Sequence, residues 1–189
     1  MQYEIKQQDK FRFVEEGEGE PLLLLHGLFG ALSNFQDLIE FFRHHNKVVV
    51  PLLPLFELDI LHTSVGGLAK FVNRFIEARG YKNIHLLGNS LGGHVALVHV
   101  LKNPEKIKSL ILTGSSGLFE SGMGDSYPKR GDYDYIKTKT ELTFYDPKVA
   151  SKELVDEVYN IVNVRLKAIK IIALAKSAIR NNLGEELNQ

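Results

Sequence analysis

Ile84-His85-Leu86-Leu87-Gly88-Asn89-Ser90-Leu91-Gly92-Gly93-His94-Val95-Ala96-Leu97-Val98 reads as a strand, a sharp turn and a helix. Ile84, Leu86 and Leu87 form a short apolar run suited to a buried strand. The stretch from Gly88 to Gly93 cannot continue that strand, and Leu91 to Leu101 can form a helix. Ser90 sits at the turn, with Gly88 and Gly92 flanking it at two residues on either side. This Gly-x-Ser-x-Gly pattern holds a serine on a strained turn at the carboxyl end of a strand. A serine with positive φ persists only if strand and helix pass close together, and side chains at positions 88 and 92 would block that approach.

Around this turn lies a chain of 189 residues with 44% apolar content, enough for one domain with a substantial core and a small appended lobe. Lys plus Arg and Asp plus Glu balance at 23 each, so no global field favours nucleic acid or an anionic membrane, and neither is expected as a partner. The absence of cysteine excludes disulfides, thiolate metal sites and a cysteine nucleophile. Met1-Gln2-Tyr3-Glu4 carries no signal-peptide pattern. The apolar runs Pro21 to Leu25 and Val48 to Phe56 fall far short of the ~20 residues that span a bilayer. A soluble, cytoplasmic protein is the expectation.

Outward from the turn, strand and helix signals alternate. Residues 3 to 14 alternate loosely and, with the polar glycine-rich stretch Glu15 to Glu20, predict an antiparallel edge hairpin. Pro21 to Leu25 is apolar on both faces, as a strand covered on both sides must be, and it ends at His26-Gly27-Leu28-Phe29-Gly30. Ser33 and Gln36 make a capping box for a helix whose stripe is Phe35, Leu38, Ile39 and Phe42. Lys47 to Pro51 predicts a second buried strand, followed by an irregular apolar loop through Phe56. From Ser64, Leu68, Phe71, Val72, Phe75 and Ile76 mark a helix that Gly80 terminates. Ile107 to Thr113 gives another buried strand. The alternation predicts an α/β architecture, a mostly parallel sheet with helices on both faces and functional groups at the carboxyl ends of its strands.

After Thr113 the strand signals stop. A polar, aromatic stretch runs to Asp146-Pro147, and then Ser151 to Asn160 and Val164 to Ile179 predict helices with Leu154, Val155, Val158, Leu166, Ile169, Ile172 and Leu174 as apolar positions. These read as a lid, with Lys167, Lys170, Lys176 and Arg180 on solvated faces. The expected division is residues 1–114 as core and 115–189 as linker and helical cap.

The His26-Gly27 loop after one central strand, the Gly88-Asn89-Ser90-Leu91-Gly92-Gly93 turn after another, about sixty residues on, and a helical insertion after Thr113 together resemble the α/β-hydrolase fold family over the whole chain. The resemblance implies that Ser90 attacks a carbonyl carbon and that backbone N–H groups of Leu28 and Leu91 hold the oxyanion. The physics agrees, because Leu91 opens a helix where N–H groups are unpaired and the dipole favours negative charge, while Gly27 and Gly30 let the facing loop approach. Each such donor is worth ~3 kcal/mol in the transition state. The resemblance further implies a small-molecule substrate, either an ester or a compound with a carbon-carbon bond next to a carbonyl, and a reaction for which no cofactor or metal is expected. A nucleophilic aspartate is excluded because position 90 is serine.

The histidines need separate readings. His26 reads as a structural residue bonding its own loop, His94 lies on a helix leading away from the serine, His85 points elsewhere from within its strand, and His44 and His45 end a helix where a cation suits the dipole. Phe29, Phe119, Met123 and Tyr127 either line an acyl pocket or pack beneath the lid. The family order is serine, acid, histidine. Glu120 or Asp125 supplies a candidate acid, but no histidine follows His99, and a serine without a base is a poor nucleophile. The expectation is therefore an amino-terminal part of a longer enzyme, lacking the family's later strands and poorly active alone, with an open sheet edge at Ile107 to Thr113 that invites self-association. The alternative is a non-catalytic protein binding a small ligand on the same fold.

Overall fold

The computed structural model describes residues 3–29, 32–118, 129–184 and 186–188. Six strands form one mixed sheet in the order β1 (Lys6–Gln8), β2 (Phe11–Glu16), β4 (Lys47–Pro51), β3 (Pro21–Leu25), β5 (Ile84–Asn89), β6 (Ile107–Thr113). The first two strands are the expected antiparallel hairpin, and β2 also runs antiparallel to β4. The β4, β3, β5 and β6 pairings are all parallel.

The all-apolar strands are explained by what covers each face. Successive side chains of a strand point to opposite sides. Leu22, Leu24, Val48 and Val50 therefore pack in one cluster with Phe35 and Ile39, beside helix α1 (Gln36–Phe42). Leu23, Leu25 and Val49 pack in the other with Leu68, Val72, Val95 and Ala96, which come from α2 (Val65–Arg79) and α3 (Leu91–Lys102). In α2 the Ser64 hydroxyl accepts from the Gly67 N–H, and Gly80 closes the helix at φ 65°, the left-handed value glycine adopts without penalty.

Several expectations are corrected. A 3-10 turn, Leu32–Phe35, leads into α1, whose N-cap residue Phe35 makes no side-chain cap, and the Ser33 side chain lies outside the described residues. Strand β6 is half-exposed rather than buried, with Ile111 42% accessible, because among the described residues only β5 pairs with it. The stretch after Thr113 contains a further helix, α4 (Tyr133–Glu141), started by the Asp132 carboxylate accepting from the Tyr135 N–H. It is followed by α5 (Lys152–Asn163) and α6 (Arg165–Arg180).

Within α6, Leu174 is buried as expected, but Leu166 is 71% exposed, and Ile169 is exposed as well. Lys167 and Lys170 are not free on a solvated face. Lys170 Nζ donates to the Phe56 carbonyl at 2.6 Å and Lys167 sits over the Phe56 ring, so the helix is held on the loop after β4 by its lysines. No helix among the described residues is long and apolar enough to cross a membrane.

Candidate active site

Two loops meet at the carboxyl ends of β3 and β5. Parallel register sets Leu24 beside Leu87 and Leu25 beside Gly88, so the residues that follow each strand leave the sheet side by side. At the end of β5, Ser90 takes φ 53° and ψ −121°, a conformation that strains a residue with a Cβ. The surrounding backbone holds it there. Ser90 N–H donates to the Thr113 carbonyl at 3.1 Å, and the Ser90 carbonyl accepts from Gly93, His94 and Ser116 N–H groups at 3.0, 3.2 and 3.2 Å. The Asn89 amide reaches the Thr113 carbonyl and hydroxyl at 3.0 and 3.1 Å, tying the turn to the end of β6.

The glycines of the pattern are sterically required. A Cβ at Gly88 would lie 2.5 Å from Gly92 O and Gly93 Cα, and one at Gly92 would lie 2.1 Å from Leu25 O. Across the cleft, a Cβ at Gly27 would stand 3.1 Å from Ser90 Cβ and 3.5 Å from its hydroxyl oxygen, so the His26-Gly27 loop is in contact with the serine. Gly30 lies outside the described residues.

The Ser90 side chain is exposed, and among the described residues its hydroxyl makes no hydrogen bond. Among the same residues the Leu28 and Leu91 N–H groups find no acceptor. Leu91 begins α3, where unpaired N–H groups and the helix dipole favour an anion. Phe29 is half-buried on the loop facing Ser90. Glu120, Asp125, Phe119, Met123 and Tyr127 all lie outside the described residues.

Three of the histidines near the sheet have other work. His26 is buried, with Nδ1 donating to the Gly27 carbonyl at 2.9 Å and Nε2 accepting from the Leu53 N–H at 3.0 Å. Burial holds its pKa below the ordinary imidazole value, which keeps the neutral tautomer that this loop needs. His94 is fully buried and donates from Nε2 to the Asn181 carbonyl at 2.8 Å, while Gly117 packs against its ring. His85 bonds Ser109 and Glu20 within the sheet.

An Asp59–His62 pair, 2.7 Å apart in the loop after β4, did not stand out in the sequence, although its i, i+3 spacing carries the signal. It is exposed on both sides, and it keeps the Asp59 carboxyl below the usual range by hydrogen bonding. No group of His, Cys, Asp or Glu among the described residues is arranged to hold a metal ion. A cleft of about 580 Å³ opens between α4 and α5, lined by Tyr133, Lys137, Lys152 and neighbours, and shares no residue with the Ser90 turn.

A family model for the alpha/beta hydrolase fold matches residues 20–143. The chain is 31% identical over 125 residues to Lipase 1 of Psychrobacter immobilis, a match covering 62% of this chain and 39% of the lipase. It is 28% identical over 161 residues to a 2-hydroxy-6-oxo-6-phenylhexa-2,4-dienoate hydrolase of Comamonas testosteroni, covering 75% of this chain and 56% of that enzyme. Among solved structures, an alpha/beta hydrolase enzyme from the metagenome of lagoon sediments at Mar Chica, Morocco, superposes with a TM-score of 0.78 at 41% identity, covering 98% of this chain and 70% of that one. The chain thus spans about half the length, or less, of these curated relatives.

Proposed function

Because the chain belongs to the α/β-hydrolase fold family, we propose that it carries the nucleophile and oxyanion hole of a serine hydrolase, with Ser90 as nucleophile and the backbone N–H groups of Leu28 and Leu91 as oxyanion donors. The observation that carries this reading is the strained, exposed Ser90 at the start of α3 with Gly27 packed against it. In this reading the Ser90 oxygen attacks a carbonyl carbon, its proton passes to a base, and the negative charge on the carbonyl oxygen is received by two N–H groups already in place. The substrate is a small ester or a compound with a carbon-carbon bond next to a carbonyl, since both reactions need the same acyl attack and the relatives include a lipase and a dienoate hydrolase. Helices α4 to α6 form its cap.

The base is the missing part. His26 and His94 are committed to backbone carbonyls, His85 to the sheet and His62 to Asp59, while His99 lies in the groove between α2 and α3 and His44 and His45 follow the end of α1. We assign the base to a residue outside this sequence, which leaves the chain with a prepared but unactivated serine.

Imidazole added from solution can stand in for that base. Incubation with a fluorophosphonate should then give covalent modification at Ser90, accelerated by imidazole and lost in Ser90→Ala, read by intact-protein and peptide mass spectrometry. No modification at Ser90 in the presence of imidazole would sink the nucleophile assignment and favour a ligand-binding protein. Rapid, Ser90-dependent turnover of a p-nitrophenyl ester without imidazole would show instead that the base is already present.

A further inference from the structure

A groove of about 310 Å³ runs between α2 and α3, lined by Lys70, Asn73, Arg74, Glu77, His99 and Lys102 among others, and shares no residue with the Ser90 turn. Two of these residues carry the buried side-chain polar atoms that have no hydrogen-bond partner among the described residues, Asn73 Oδ1 and His99 Nε2. Leaving such atoms unpaired is costly, so each needs an explanation.

Their chemistry is fixed by their neighbours. The Asn73 amide nitrogen donates to Glu77 Oε1 at 3.0 Å, which settles the amide orientation and leaves Oδ1 as an unused acceptor. The nearest partner of His99 Nδ1 is the Asn103 amide nitrogen at 3.5 Å, a donor only, so Nδ1 accepts and the ring hydrogen sits on Nε2. His99 is 1% exposed, and burial together with Lys106 lowers its pKa, so the ring is neutral with an unused Nε2–H donor. Both residues line the same groove, so a single group seated there would have to accept from His99 Nε2–H and donate to Asn73 Oδ1.

Charge adds a second requirement. Lys70, Arg74 and Lys102 are exposed cations with no ion pair or hydrogen bond among the described residues. Glu77 is the one acidic residue of this lining, and it is already engaged by Asn73 and Lys106. We propose that the α2–α3 groove binds monohydrogen phosphate, whose oxygens accept from His99 Nε2–H and the rim cations while its remaining O–H donates to Asn73 Oδ1.

The hydrogen-bond pattern separates phosphate from sulfate. Near pH 8 both are dianions, but only phosphate keeps a proton to donate. Loss of that one bond weakens binding about tenfold. The test is titration of the chain with sodium phosphate and, in parallel, sodium sulfate at fixed ionic strength, following the His99 imidazole nitrogen resonances and heats of binding.

Phosphate should give a saturable shift at His99 with affinity about tenfold above sulfate. Asn73→Leu, at a half-buried position, should reduce that preference to about twofold or less, and His99→Leu should abolish binding of both ions. The absence of a saturable shift, equal affinity for the two anions, or a preference that survives Asn73→Leu would each overturn the proposal.

Discussion

Replacing Ser90 by glycine should make the protein more stable, although it removes the proposed nucleophile. Ser90 holds φ 53° and ψ −121°, a region that costs a residue with a Cβ about 1–3 kcal/mol and glycine almost nothing. Glycine also loosens the unfolded chain, which takes back about 0.4–1 kcal/mol. The hydroxyl makes no hydrogen bond among the described residues and the side chain is exposed, so little else is lost. The balance is a gain of roughly 0.5–2 kcal/mol, and for a chain of this length about 2–4 °C in Tm follows each kcal/mol. Ser90→Ala keeps the Cβ and therefore the strain, and it should fall within about 0.5 kcal/mol of the parent. Urea and thermal melts of the three proteins, followed by far-ultraviolet circular dichroism, decide the matter. A glycine variant no more stable than the alanine variant would refute the claim that the turn stores strain in the Ser90 backbone.

Two other outcomes follow from the same geometry. Gly92→Ala should cost about 3 kcal/mol or more, or leave no folded protein, because its Cβ would stand 2.1 Å from the Leu25 carbonyl oxygen and neither backbone segment can move freely. Gly27→Ala, at 3.1 Å from Ser90 Cβ, should keep the fold within about 1 kcal/mol while slowing phosphonate labelling of Ser90; equal melting of the two variants would refute the steric argument. At the hairpin edge, burial tends to raise the pKa of Glu15, but hydrogen bonds from Tyr81 and Arg79 outweigh it and hold the carboxyl below its ordinary value of 4.5. The unfolded chain therefore binds a proton first as the pH falls, so this stabilisation is complete above about pH 4.5 and is lost as the pH drops through the folded value. Glu15→Gln should cost about 1–2 kcal/mol at neutral pH and flatten the acid limb of stability against pH; superimposable acid limbs would contradict it.

Which parts of the fold were legible follows from the range of the forces that make them. The β3 and β4 runs could be read because each is apolar at every position, and the structure shows why: alternate residues feed two separate cores. Helix α2 could be read with its ends because Ser64 and Gly80 act locally. Helix α4 was missed because Tyr133–Glu141 is short and mostly polar, yet Asp132 three residues before Tyr135 was an available cap signal. The docking of Lys167 and Lys170 on Phe56 joins residues more than a hundred positions apart, which no periodicity reports. For β6, an apolar run indicates a strand but not how many neighbours it has, so its exposure was out of reach.

The candidate site was legible in halves for the same reason. A strained serine turn is written into its own neighbourhood, since Gly88 and Gly92 are demanded by backbone contacts within β5, α3 and the end of β3. A base and an acid are single side chains that any distant loop can deliver, and no local pattern marks them. The structure sharpens that division. Ser90 N–H and C=O are bonded to Thr113, Gly93, His94 and Ser116, and His94 in turn holds the Asn181 carbonyl at the end of α6. These contacts among the described residues already hold Ser90 at φ 53°, so on the reading proposed above a base supplied from elsewhere would meet the serine in its strained conformation. If the proposed assignment of the base holds, a freely diffusing imidazole should rescue labelling of Ser90, since it would supply a proton acceptor without having to build any part of the turn.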